Sequence, residues 1–275
     1  MKQSARTVAL ACSALMVLGS VFLFDVSPAA GQAQPYRAPR TLDGKPDLNG
    51  IWQAMGTANW DIEAHEAKPG PVIAMGALGA IPPGNGVVEG GPLPYKPEAL
   101  KQKKENAENW LTRDPIVKCY LPGVPRATYM PFPFQIIQSP QYFLFAYEYD
   151  FGMRTINMSL KEEAPVDTWM GWSRGRWEGE TLVIDVTGFN DSTWFDSAGN
   201  FHSDALHVVE RYTRTGANTL LYEATIEDPN VFTRPWKMSM PLYRRLEKNV
   251  ELLDFNCVPF VEELMYGHLR KRDSN

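Results

Sequence analysis

From Phe134 onward the chain is a series of short segments in which apolar and polar residues alternate, each bounded by turn residues. FQIIQ and YFLFAYEYD are divided by Ser139-Pro140-Gln141. MRTINMS, WMGWSRGRW and TLVIDVTGF follow, the last after a Glu178-Gly179 turn. ALHVVERYTR and TLLYEATIED flank Thr215-Gly216-Ala217-Asn218, and WKMSMPLYR and VELLDFN close the series. Side chains alternate across a strand, so each segment offers one apolar and one polar face. About nine such segments, with one more near Trp52, predict a mainly β fold. The sheet is expected to be antiparallel and to close into a β-barrel or fold into a related β-sandwich. Leu182, Ile184 and Val186 share one face; Leu220, Tyr222, Ala224 and Ile226 another; Phe143, Phe145, Tyr147 and Tyr149 a third. An interior lined this way is a filled core or a chamber for an apolar ligand.

The segments before Phe134 read differently. Lys2 and Arg6, an apolar run from Val8 to Phe24 and small residues around Ala29–Ala33 predict a secretory signal peptide over residues 1–33. No stable membrane span is then expected after its removal, with an uncleaved anchor as the alternative, and a periplasmic or secreted location follows. Residues 34–275 form one expected β-rich domain. Residues 68–97 hold seven Pro and seven Gly without a period, the mark of a long loop draped over the body. Pro97 opens a run of good helix formers with few apolar members, which predicts a surface helix over 97–112. PFVEELMYGHLRKR suggests a second short helix. With a net charge of -5 and only Arg270-Lys271-Arg272 as a basic cluster, nothing points to a nucleic-acid partner. Removal of the leader would leave Cys119 and Cys257, an even count that suggests a disulfide in an exported chain, with two separate buried thiols as the alternative.

PDLNGIW, DPIVKCYLPGVPRATYMPFPFQIIQ, GWSRGRWEGETLVIDVTGFND, HSDALHVVERYTR and IEDPNVFTRPW together resemble a widespread family of exported bacterial proteins, from about Pro46 to Cys257. That resemblance brings no activity, and no functional residue is carried over from it. Gly50-x-Trp52 is also similar to the opening strand of lipocalins, which with the serial hairpins tilts the expectation toward a lipocalin-like barrel.

Chemistry-bearing residues concentrate in NFHSDALHVVER, which holds His202 and His207 of only four histidines, with Asp204 and Glu210. Two histidines and carboxylates at this spacing suit zinc. Val208, Val209, Tyr212 and Thr213 favour a strand, however, and a strand sends His207 and Glu210 to opposite faces. No metal and no cofactor are therefore assigned. If Leu206, Val208 and Tyr212 face inward, so does Glu210, which must then be paired or hold a raised pKa. Arg174 or Arg176 is a candidate partner, or a site for substrate charge. Asp191 and Asp196 could orient His202. The expectation is an enzyme acting on a small organic molecule by acid–base hydrolysis or lyase chemistry at a barrel mouth. Glu210, His202, His207 and Asp204 are its catalytic candidates, and Arg174, Arg176, Tyr147, Tyr222 and Trp172 its substrate-binding ones. The alternative is a non-catalytic, lipocalin-like binder of an apolar small molecule, and an interaction protein using the 68–97 loop is a third reading. His65, in DIEAHEAK, fits a solvated helix face as readily as a site.

Overall fold

The computed structural model describes residues 36–160 and 162–269, so the expected signal peptide lies outside the described residues. Nine strands form one closed barrel in chain order: β1 (Gly50–Ala54), β2 (Phe134–Gln138), β3 (Tyr142–Tyr147), β4 (Met153–Asn157), β5 (Trp172–Glu178), β6 (Thr181–Thr187), β7 (His207–Gly216), β8 (Thr219–Glu227) and β9 (Trp236–Arg244). Closure depends on β1, which pairs with β2 through Ile51 and Gln135 and with β9 through Gln53 and Tyr243. Neighbouring strands run antiparallel except β4 and β5, which are parallel through Ile156–Ser173 and Asn157–Arg174. The long connection between those two strands crosses over instead of turning back, which a parallel pair requires.

VELLDFN is expected as a tenth strand but is irregular. The physical reason is closure: once β9 pairs with β1, no free edge remains for another strand. Phe255 of this segment packs instead on Phe132 and Tyr149, and the Cys119–Cys257 disulfide anchors its end.

The inward faces follow the alternation. Phe143, Phe145, Leu182, Ile184, Val186, Val208, Tyr212, Leu220 and Tyr222 are fully buried, and with Trp52 and Phe134 they fill the barrel. Large aromatic rings in mutual contact account for this filling, including Tyr212–Tyr222 and Phe145–Tyr212. Gly179 sits at φ 59° in the two-residue turn between β5 and β6, a conformation open to glycine without strain. At one end Trp52 donates to the Leu48 carbonyl (3.0 Å), with Arg214 and Arg244 over its ring at 5.9 and 5.1 Å.

Short helices occur in the connections and after the last strand. The expected 97–112 helix is two pieces, α1 (Pro97–Glu108) and α2 (Trp110–Arg113). Asn109 breaks them because its side-chain amide donates to the Glu105 carbonyl, competing with the backbone ladder. A one-turn α3 (Arg126–Tyr129) lies in the Pro-rich connection, and α4 (Val261–Tyr266) leads into a 3-10 turn over Gly267–Leu269. No described helix is long and apolar enough to cross a membrane.

The 68–97 loop is pinned rather than loose. Its first part folds back on itself through backbone bridges His65–Gly84 and Lys68–Ile81, with a 3-10 turn over Ile73–Gly79 at the tip. Its second part is tied to the barrel by Val88–Met238 and Tyr95–Phe232.

Candidate functional site

The residues nominated from the sequence fall in three separate places. Glu210 points into the barrel, as the alternation of β7 dictates, and is completely buried. Its partner is Arg154 of β4, a correction to the expected pairing with Arg174 or Arg176. Oε1 of Glu210 accepts from Tyr222 (2.9 Å) and Tyr212 (3.1 Å), and Arg154 Nε donates to Ser173 (2.7 Å). Burial disfavours the Arg154 charge, but Glu210 more than offsets this and holds the guanidinium ionised. Burial and the adjacent carboxylate push the Tyr212 and Tyr222 phenols well above their ordinary value. Tyr147 is buried beside the same charges. Glu210, Tyr147 and Tyr222 thus belong to one enclosed polar cluster.

His202 is buried outside that cluster. Its Nδ1 lies 2.8 Å from the Ser203 carbonyl and its Nε2 2.6 Å from the Thr193 hydroxyl. A neutral ring donating from Nδ1 and accepting at Nε2 satisfies both contacts. Burial lowers its pKa, which agrees with the neutral form.

The third place is the outer face of β5–β8. His207 lies 3.1 Å from Asp185 and 3.3 Å from Glu227. Arg174 pairs with Asp185 (2.6 Å), and Arg176 pairs with Glu178 (2.7 Å), which Arg211 also contacts. Asp204 is exposed in the turn before β7, and Trp172 is half-buried at the start of β5. His202, His207, Asp204 and Glu210 are therefore not brought together. Among the described residues no group of three or more His, Cys, Asp or Glu is arranged to hold a metal ion.

A different set of titratable groups does converge at a cleft. The chain between β1 and the folded-back loop carries Trp60, Asp61 and His65 to one wall of a cleft of about 260 Å³. Lys68, Lys103 and Trp110 line it as well. Asp61 is buried, with Oδ1 accepting from the Glu63 amide (2.9 Å) and Oδ2 3.3 Å from His65 Nε2. His65 Nδ1 lies 2.5 Å from the Glu66 carbonyl, to which a ring N–H donates. That contact puts an N–H on Nδ1, and Nε2 is buried without an aligned hydrogen-bond partner among the described residues.

Behind Asp61 stands Asp196, fully buried in the loop between β6 and β7. Its oxygens accept four N–H groups: Ala198 (3.0 Å) and Asn200 (3.1 Å) on Oδ1, Ile62 (3.0 Å) and the Asn200 amide (2.6 Å) on Oδ2. Burial raises the pKa of Asp61, and burial together with the Asp61 charge pushes Asp196 up to about 7. Two carboxyls that repel in a buried place share a proton near neutrality. Four donors around Asp196 favour its charge, and burial beside Asp61 opposes it.

A buried ion pair holds this region to the barrel. Arg126 of α3 bonds both oxygens of Asp114 (2.7 and 2.9 Å) and also reaches Asn59 (2.8 Å) and Ser197 (2.9 Å). Asn59 and Ser197 immediately flank the Asp61 and Asp196 segments, so the pair fixes both. The sequence signal for the site is Asp61 between Trp60 and Ile62, a charge set among large apolar residues and four positions before a histidine.

Comparison with protein-family models finds no match to this chain, and comparison with curated proteins finds none either.

Proposed function

We propose that this chain is an exported acid–base enzyme that hydrolyses a small organic molecule, an ester in the first instance, in the cleft beside the barrel. One observation carries the reading: Asp61 and His65 line one cleft 3.3 Å apart, with the Asp61 carboxyl pKa raised by burial. General acid–base catalysis requires a group that can give a proton to a leaving oxygen and one that can take a proton from water. Asp61 supplies the first and Nε2 of His65 the second, while Lys103, 3.4 Å from Glu63, brings positive charge to the same cleft. Elimination is the second chemistry the same pair can perform. The packed barrel interior argues against an internal ligand chamber. The Cys119–Cys257 disulfide supports an oxidising compartment outside the cytosol.

The test is turnover of p-nitrophenyl acetate and butyrate between pH 5 and 9, with melting temperature recorded for every variant. Asp61→Asn and His65→Gln are each expected to lower kcat/KM by about a hundredfold or more, within the range general acid–base groups contribute. Wild-type protein that turns over neither ester, or variants as active as wild type, overturn the reading.

A further inference from the structure

A second cleft, of about 230 Å³, adjoins the first and shares Trp60, Ile81 and Trp110 with it. Its remaining wall is mostly apolar, with Val72, Met75 and Leu78 from the folded-back loop, Leu111 from α2 and Tyr266 from α4, and Glu262 of α4 is its one charged member. Trp60 and Trp110 meet edge to face at 5.7 Å and form the shared partition. Neither cleft alone reaches the roughly 300 Å³ usual for a small-molecule site, whereas the volumes of the two neighbours taken together do. The outer rim is apolar too, with Leu78 91% and Ile73 68% exposed. Single exposed apolar side chains are ordinary, but a set that borders a concave apolar wall marks a binding surface. The polar half carries the opposite chemistry, since Lys68 stands beside the reacting pair together with Lys103, whose ammonium lies 3.4 Å from Glu63.

We infer that the substrate is an amphiphilic carboxylate or carboxylic ester, its acyl chain lying against Val72, Met75 and Leu78 and its carboxyl group beside Lys68, Lys103 and the Asp61–His65 pair. The inference rests on the reading of Asp61 and His65 as the reacting groups. Charge complementarity orients the molecule: the lysines attract the carboxyl oxygens, and an acyl chain gains by leaving water only on the other side of the Trp60–Trp110 partition. The arrangement accounts for a folded-back loop that presents apolar residues on a surface segment. It also explains why α4 and the disulfide-anchored tail pack where they do, since Tyr266 completes the acyl wall.

Isothermal titration of the intact protein with hexanoate, octanoate and decanoate tests this. Dissociation constants are expected to fall by about two- to fourfold for each added methylene. Decan-1-ol is expected to bind about tenfold more weakly than decanoate, the loss of a charge-assisted contact. Leu78→Asp, at a position too exposed to threaten folding, and Met75→Asp are each expected to weaken decanoate binding at least tenfold. Affinity independent of chain length, or unchanged in both variants, overturns the inference. Asp61→Asn separates the two claims. A variant that keeps the chain-length gradient but no longer hydrolyses p-nitrophenyl decanoate supports both. Retained hydrolysis in Asp61→Asn with the chain-length gradient intact removes the acid–base reading and leaves the binding site standing. Lost hydrolysis without any gradient removes the acyl site alone.

Discussion

At the scale of single residues, two buried charge clusters govern this molecule, and each gives a testable consequence. In the first, Glu210 is buried inside the barrel against Arg154 and two phenols. Arg154→Met would leave that carboxylate buried and unpaired, and breaking such a pair costs about 3–5 kcal/mol. Urea unfolding of Arg154→Met should show a loss of that size, and the Arg154→Met/Glu210→Leu double variant should recover part of it because no charge is then stranded. A loss below about 1 kcal/mol would mean that Glu210 finds water or a proton instead. In the second cluster, the folded-state pKa of Asp196 lies near 7, above its ordinary 3.8. A raised carboxyl pKa means that the folded chain binds the proton more tightly than the unfolded chain. Its contribution is therefore complete below about pH 4 and is lost as pH rises toward 7, a change on the order of 4 kcal/mol for a shift of this size. Asp61→Asn removes the neighbouring charge, so its melting temperature should fall less than that of wild type between pH 4 and 8. Parallel pH profiles would assign the shift to burial alone. The inward direction of Glu210 was legible in the period of β7. Its partner was not, because Arg154 lies on a strand far away in the chain and nothing local distinguishes it from Arg174. The Asp61 site was hidden for the same reason, since the Asp196 carboxylate meets the Ile62 amide across 134 residues.

At the scale of elements, alternation located eight of the nine strands, because a half-buried strand must show its period whatever it pairs with. Strand β1 shows only Gly50-Ile51-Trp52 as a signal, yet it is the element that closes the ring. The misread segment VELLDFN has the same composition as a strand and fails for a reason absent from its own residues: no edge is left to receive it. The break at Asn109 divides a run that propensity reads as continuous, and it turns Trp110 toward Trp60. A Pro/Gly-rich segment likewise carries no periodic trace of being pinned. Gly84 permits the pinning, since a Cβ there would stand 2.0 Å from the Glu63 carbonyl oxygen and 2.7 Å from the His65 ring. The elements that build the cleft are thus the ones least visible to periodicity, while the barrel that supports them is the most visible.

At the scale of the whole molecule, the barrel closes between β1 and β9, and the chain then continues past it through an irregular stretch to α4. Phe132, Tyr149 and Phe255 pack together there, and the Cys119–Cys257 bond fastens the tail across a separation of 138 residues. The loop so closed contains strands β2 to β9, so the bond restricts almost the whole unfolded chain. Loop-closure entropy gives such a crosslink about 4–5 kcal/mol. For a domain of this size that corresponds to a melting temperature lower by roughly 10–20 °C once the bond is removed. Cys119→Ala/Cys257→Ala, compared with wild type by calorimetry with and without reductant, should show a drop of that order, and reductant should then have no further effect on the variant. The folded state provides a second readout. Residues 251–269 make few buried contacts of their own, so without the bond their amide exchange should quicken while β6, β7 and β8 stay protected. A variant that melts with wild type but exchanges faster in the tail would show that the bond serves the cleft wall formed by α4 rather than the barrel.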